Sequence, residues 1–264
     1  MINLPKIDST LAKKEITDFI NEIVSSSHSD GIVVGLSGGI DSSVSAYLAV
    51  ESVGVDNVLG VHMYSSTTPK EDKDHARLMA KLLDIEYVEI SIDSIVDEIL
   101  NTTTKSDSKL ANGNLKARIR MSLLYYYANI NNYLVIGTGN RSELLIGYFT
   151  KYGDGGCDLE PIGNILKTQL RVLSKSWGIP DDIITKPPRA GLWPGQNDED
   201  EIGLSYETLD LLLYMIVDKN MDNDEIIKNI NISSNEIDRI QLKIENNKHK
   251  LTNPKTPFDF GKRF

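Results

Sequence analysis

One short stretch gathers residues suited to phosphate chemistry. Ser37-Gly38-Gly39-Ile40-Asp41-Ser42 follows the apolar run Gly31–Leu36 and leads into a second apolar-periodic segment. Gly38 and Gly39 let the backbone turn tightly and approach a ligand without Cβ clashes. The first N–H groups of the following helix would point at that ligand, and the helix dipole favours an anion there. Ser37 and Ser42 add hydroxyl donors. The stretch matches neither G-x-x-x-x-G-K-[ST] nor G-x-G-x-x-G. It has no lysine and carries the carboxylate Asp41 instead, which beside phosphates makes sense as a ligand of Mg²⁺. The plainer alternative is a glycine-rich turn with Asp41 placed favourably in the first helical turn.

A second group of candidates lies further along. Thr138 and Glu143 follow another strand end, where Glu143 could face Asp41 and complete an oxygen-ligand site, or be a solvated helix acid. Lys151 and Lys167 flank a glycine-rich loop and could neutralise phosphates or charge developing at phosphorus, or lie in solvent. Arg118 sits in a helix with Ile119 and Met121, its plainer alternative being an ordinary helix salt bridge, and Arg120 is the bland partner beside it. Asp158 could pair with a ligand hydroxyl or amine, or cap a turn. His249 and Lys250 could close a C-terminal helix. Cys157 has no histidine arranged to activate it and is expected to be inert.

These residues need a scaffold that brings several strand ends together. Runs Gly31–Leu36, Asn57–Tyr64, Glu86–Ile92 and Tyr133–Gly139 read as strands. Between them, a first helix capped by Ser9 or Thr10, Ser42–Val53 ended by Gly54, and a helix after Pro69 read as amphipathic. The Pro69 helix is expected to bury Ala76, Leu78, Met79, Leu82 and Leu83. Short helix 93–100 and strong helix 115–130 follow, then a helix closed by Gly178. Alternating strands and helices predict an α/β fold with a doubly wound parallel sheet, a Rossmann-like arrangement with additional C-terminal helices. Those helices are expected at Tyr206–Asp218, Asp224–Asn229 and Ser234–Asn247. The polar stretches 101–113 and 189–203, the latter with four successive acids from Asp198 to Glu201, read as loops that order over a ligand.

Composition narrows the class. The 264 residues carry a formal net charge of −10 with 40% hydrophobic residues. That balance opposes a general nucleic-acid binder, which would carry a basic face. The single cysteine permits no internal disulfide, and a cytoplasmic setting fits. No apolar leader or membrane span is expected.

Two motifs carry a resemblance. Ser37–Ser42 resembles the pyrophosphate loop of the ATP pyrophosphatase superfamily, also called adenine nucleotide alpha-hydrolases. Gly137–Lys167, with Phe149-Thr150-Lys151-Tyr152-Gly153-Asp154-Gly155-Gly156 at its centre, is similar to the core motif of the NAD synthetase family. Gly113–Met121 and Lys248–Lys250 also fit, in the right order, so the resemblance spans nearly the whole chain. It implies ATP-dependent amidation of nicotinic acid adenine dinucleotide (deamido-NAD) through an acyl adenylate, releasing AMP and pyrophosphate.

The resemblance also implies roles. Gly35, Leu36, Ser37, Gly38, Gly39, Ile40, Asp41 and Ser42 would hold ATP, with Thr138 and Lys167. Asp41 and Glu143 would bind Mg²⁺. Arg118, Lys151, Asp158, His249 and Lys250 would contact deamido-NAD, and Asp41, Lys151 and Lys167 would carry the catalysis. Where the family places a small hydroxyl residue near ATP, this chain has Arg189. A single domain over 1–264 without a glutaminase domain implies direct use of ammonia, or ammonia from a separate glutaminase, and the family's fold implies a homodimer. The rivals are a tRNA-modifying relative, which would need a basic surface, and a nucleotide sensor that binds ATP without cleaving it.

Overall fold

A computed structural model describes residues 2–193 and 195–254. Four strands, β1 (Gly31–Gly35), β2 (Val58–Tyr64), β3 (Glu86–Ser91) and β4 (Tyr133–Ile136), form one parallel sheet in the order β3-β2-β1-β4. Helices α1 (Ser9–Ser26), α2 (Ile40–Val53), α3 (Lys70–Leu83), α4 (Asp93–Thr102), α5 (Lys109–Asn131), α6 (Arg141–Ile146) and α7 (Lys167–Ser176) alternate with or follow the strands. Short helices α8 (Asp181–Ile184) and α9 (Asp198–Ile202) precede α10 (Tyr206–Leu213), α11 (Asn223–Asn229) and α12 (Ser234–Asn247).

The apolar strands are buried because helices cover both faces of the sheet. Ile32 and Val34 of β1 pack with Ile20, Leu48, Met79 and Leu170 on one face. Val33, Leu59, Val61 and Met63 pack with Val96, Ile119 and Ala128 on the other. The expected doubly wound fold is therefore present. A separate apolar cluster, built on Tyr206, Leu209, Leu213, Ile226, Ile237 and Ile240, joins α10–α12 to Ile146 of α6. These are the additional C-terminal helices.

Local expectations needed correction at several points. The cap of α1 is Asp8, whose carboxylate accepts from Thr10 and Leu11 N–H, because an extended residue must precede the first helical turn. In α3 Ala76, Met79 and Ala80 are buried and Leu83 packs half-buried against the core, whereas Leu78 and Leu82 are exposed. The helix α5 begins at Lys109, so part of the expected 101–113 loop is helical, with Ser108 as its cap. The acids Asp198–Glu201 lie in α9, whose N-terminal dipole favours them and whose cap is Asn197. The helix α10 continues into a π-helical turn, Tyr214–Asp218. Residues 255–264 lie outside the described residues.

Strand order decides where a ligand can sit. β1 has β2 on one side and β4 on the other, so the winding reverses between β1 and β4. Ligands bind at such switch points, beyond the carboxyl ends of the strands. The Ser37–Ser42 turn leaves β1 there, and Thr138 follows β4 on the same edge.

Candidate active site

The glycine turn is wound by its own serines. Ser37 N–H donates to Ser42 Oγ at 3.2 Å, the two hydroxyls lie 2.9 Å apart, and Gly39 N–H donates to Ser37 Oγ at 3.2 Å. Gly38 has φ +80°, a conformation glycine adopts without a Cβ penalty. Gly39 caps α2 without a side-chain hydrogen bond, so the first N–H groups of this 14-residue helix stay open to an anion.

The helix α7 begins with Lys167, whose side chain is only 3% exposed. Its Nζ lies 2.5 Å from Asp41 Oδ2 and 3.3 Å from Glu143 Oε1. Asn140 ties the same group together: its Nδ2 donates to Asp41 Oδ1 at 2.9 Å, and its Oδ1 accepts from Glu143 N–H at 3.1 Å. Tyr206 OH donates to Glu143 Oε1 at 3.2 Å. Glu143 is therefore part of the site, not a solvated acid.

One ammonium facing two carboxylates leaves excess negative charge in a dry place. Burial pushes the Glu143 carboxyl up to about 8, against the pull of Lys167. Burial alone would lower the Lys167 pKa, but the Asp41 and Glu143 charges outweigh it and raise it. Asp198 of α9 is also pushed up by burial, to about 6. Among the described residues no group of three or more His, Cys, Asp or Glu is arranged to hold a metal, so a cation here would rely on Asp41 and Glu143.

Residues 186–193 overhang the turn. Arg189 of this loop pairs with two acids of α3. Its NH2 donates to Glu71 Oε2 and to Asp72 Oδ1, each at 2.8 Å. Lys186 Nζ also reaches Asp72 Oδ1, at 2.7 Å. Burial pushes the Asp72 carboxyl up, but hydrogen bonds from Arg189 and Lys186 outweigh it and hold the group low. Lys116 of α5 donates to Leu192 O at 3.2 Å and so pins the loop tip.

The Phe149–Gly156 loop packs against α5. A Cβ on Gly153 would lie 2.9 Å from Ala117 Cβ, which accounts for a glycine there. Lys151 Nζ donates to His249 O at 2.5 Å, and Lys250 Nζ donates to Gly147 O at 2.6 Å and Phe149 O at 2.9 Å. These bonds dock the 3₁₀ turn Lys248–Leu251 onto the loop. Arg118 is exposed, with NH2 3.4 Å from Lys151 O. Arg120, expected to be the ordinary partner, lines the cavity instead, and its Nε donates to Met63 O at 2.9 Å.

Two further residues have structural partners. Asp158 accepts from Val135 N–H at 2.8 Å and from Tyr125 OH at 3.0 Å, so its carboxylate anchors β4 to α5. Cys157 Sγ donates to Glu160 Oε1 at 3.2 Å, and burial pushes the thiol pKa far up, as an inert residue requires.

A cavity of about 650 Å³ joins these parts. That volume falls within the ~300–1,000 Å³ of small-molecule sites. Gly35–Ser37, Gly39–Ser42, Thr138, Glu143, Lys167 and Arg189 line it together with Arg118, Lys151, His249 and Lys250. Asp158 and Gly38 do not line it. Sequence reasoning missed Asn140, Asp72, Lys186, Asp198 and Tyr206. Only Asn140 left a readable trace, as a capping residue three positions before Glu143.

The turn at the switch point and the Asp41–Lys167–Glu143 cluster beside it define a nucleotide-binding α/β enzyme of the ATP pyrophosphatase class. A family model described as NAD synthase matches residues 12–254. The chain belongs to the NAD synthase family. It is 48% identical over 254 residues to the NH(3)-dependent NAD(+) synthetase of Methanosarcina acetivorans, covering 95% of this chain and 99% of that protein. Its structure is similar to NMN synthetase from Francisella tularensis, with TM-score 0.85, 33% identity, and coverage of 96% and 99% of the two chains. It is also similar to the NH3-dependent NAD synthetase of Campylobacter jejuni, solved with a nitrate ion, with TM-score 0.81, 32% identity, and coverage of 95% and 99%.

Proposed function

We propose that this chain makes NAD by amidating deamido-NAD with ammonia at the expense of ATP. A pyridine carboxylate is a poor electrophile, because ammonia cannot displace an oxide. Its oxygen attacks the ATP α-phosphorus, the bond to the β-phosphate oxygen breaks, and pyrophosphate leaves. Ammonia then attacks the carbonyl carbon of the acyl adenylate, AMP departs with the bridging oxygen, and the nitrogen loses a proton.

The observation that carries this reading is the Asp41–Lys167–Glu143 cluster beside the open N-terminus of α2, inside one cavity. The N–H groups of the turn receive the β and γ phosphates. Lys167 offsets charge at the reacting phosphorus. The cluster's excess carboxylate suits a divalent cation, so Asp41 and Glu143 would hold Mg²⁺. Bound there, Mg²⁺ would neutralise the phosphate oxygens. Thr138 would meet ATP. Arg118, Lys151, Asp158, His249 and Lys250 are assigned to deamido-NAD, which requires Asp158 to exchange Tyr125 for the ligand. Arg189, turned onto Asp72, would serve ATP only indirectly.

A single domain taking ammonia from solution, working as a homodimer in the cytoplasm, completes the proposal. No helix among the described residues is long and apolar enough to cross a membrane. Exposed Tyr126 and Ile130 on α5 favour a helix-mediated dimer.

Oxygen labelling tests the chemistry. Deamido-NAD carrying ¹⁸O in its carboxylate should transfer one labelled oxygen to AMP. Label appearing in pyrophosphate instead would reject the acyl adenylate. The likeness to an NMN synthetase supports a second reading, in which the acceptor is the mononucleotide acid. Parallel assays of both acceptors decide between them.

A further inference from the structure

Two lysines bracket the glycine turn. Lys167 meets it from the Asp41 side and Lys186 from the Gly38 side. The Lys186 side chain is 5% exposed. Its ammonium donates to the Gly38 carbonyl and to Asp72 Oδ1 at 2.7 Å, and lies 3.4 Å from His75 Nδ1. A Cβ on Gly38 would overlap the Asp72 carbonyl oxygen, so the start of α3 packs directly against the turn. Lys186, Asp72 and the turn are thus one packed unit, and all three border the main cavity.

The charges in this unit are unequal. Asp72 is a single buried carboxylate shared by Lys186 and Arg189. Glu71, 55% exposed, pairs with Arg189. The three N–H donors of Lys186 therefore serve one shared carboxylate, one neutral carbonyl and one imidazole nitrogen. A phosphate oxygen arriving at the turn is a stronger acceptor than the carbonyl or the imidazole.

We infer that Lys186 is a pyrophosphate-binding residue, and that Asp72 is its resting partner, the carboxylate that occupies its ammonium beside the glycine turn and competes with an arriving phosphate. The inference rests on the ATP-cleaving reading above. On binding, Lys186 exchanges the Gly38 carbonyl for a β- or γ-phosphate oxygen. Arg189, on the outer side of Asp72, fastens the loop to α3. With Lys167 at the other end of the turn, the departing pyrophosphate then lies between two buried cations.

Steady-state synthesis by the wild type, Lys186→Gln and Asp72→Asn tests this, with pyrophosphate as product inhibitor. Lys186→Gln should raise the KM for ATP and the pyrophosphate inhibition constant together, each on the order of tenfold. Its KM for deamido-NAD should stay within about twofold, because uniform loss is confined to the phosphate contact. A folded Lys186→Gln enzyme with wild-type pyrophosphate inhibition overturns the inference.

Should that variant not fold, Asp72→Asn decides. Removing the competing charge should tighten pyrophosphate inhibition about threefold, whereas a purely structural ion pair predicts equal or weaker inhibition. A wild type that makes no NAD defeats the functional reading instead. Calorimetric binding of pyrophosphate to wild type and Lys186→Gln then decides the role of Lys186 by itself.

Discussion

The ammonium of Lys167 lies 2.5 Å from the carboxylate of Asp41, although 126 residues separate them. The contact joins the start of α2 to the start of α7 across the switch point of the sheet. It also closes a buried cluster in which Glu143 is the third member.

Lys167→Met should leave Asp41 and Glu143 facing each other without a counter-charge. Breaking a buried pair in this way destabilises by about 3–5 kcal/mol. Turnover should fall by on the order of 10²–10³, the usual loss when one preorganised charge at a reaction centre is removed. Urea melts with and without Mg²⁺ check the first claim, since the cation should restore part of the lost stability in the variant. Equal melts for variant and wild type would contradict it.

Gly38→Ala places a Cβ against the Asp72 carbonyl oxygen at a backbone φ of +80°. The left-handed conformation alone costs about 1–2 kcal/mol for a residue with a Cβ. The turn must shift, so the KM for ATP should rise about tenfold or more, the equivalent of about 1.4 kcal/mol of binding. An unchanged KM would show that the turn does not hold the nucleotide.

Glu160 supplies a pH test outside the metal-binding carboxylates. Burial pushes its carboxyl up to about 7, while Cys157 and Gly139 N–H donate to it. A raised carboxyl favours the folded state while protonated. Its contribution is complete below its unfolded pKa and is lost as pH rises through about 7. The loss is on the order of 3 kcal/mol. Glu160→Gln keeps an acceptor for Gly139 and cannot ionise, so its stability should decline less between pH 5 and pH 8, roughly the window the linkage sets. Urea melts at both ends of that window measure the difference, and identical declines would exclude the effect.

How legible all this was in the sequence depended on the range of the contacts involved. The strands, the turn and most helices were readable because burial patterns and glycine placement are local. Asp41, Glu143 and Lys167 were found through motif order, and the structure brings both carboxylates within reach of the Lys167 ammonium. Lys186 was missed because a lysine before two prolines reads as a loop residue until α3 is seen beneath it. Asp198–Glu201 read as loop because a run of acids resembles a solvated segment, and only the Asn197 cap shows a helix. Leu78 and Leu82 were expected in the core because periodicity gives a face but not how wide a stripe the neighbours cover. Asp158 had a role by resemblance, yet nothing local announced its bonds to Val135 and Tyr125.

Tyr126 and Ile130 lie one helical turn apart on α5, 61% and 60% exposed. Paired apolar residues at that spacing make a self-complementary stripe. Ile130→Asp should shift the protein from dimer to monomer in sedimentation velocity, with circular dichroism unchanged. A wild type that sediments as a monomer would remove the dimer from the account.

Turnover of the purified protein with Mg²⁺-ATP and deamido-NAD, given ammonium or glutamine separately, decides whether this chain is an ammonia-dependent synthetase. NAD, AMP and pyrophosphate should form in equal amounts with ammonium, and no NAD with glutamine. ATP binding without NAD from either donor would contradict that function.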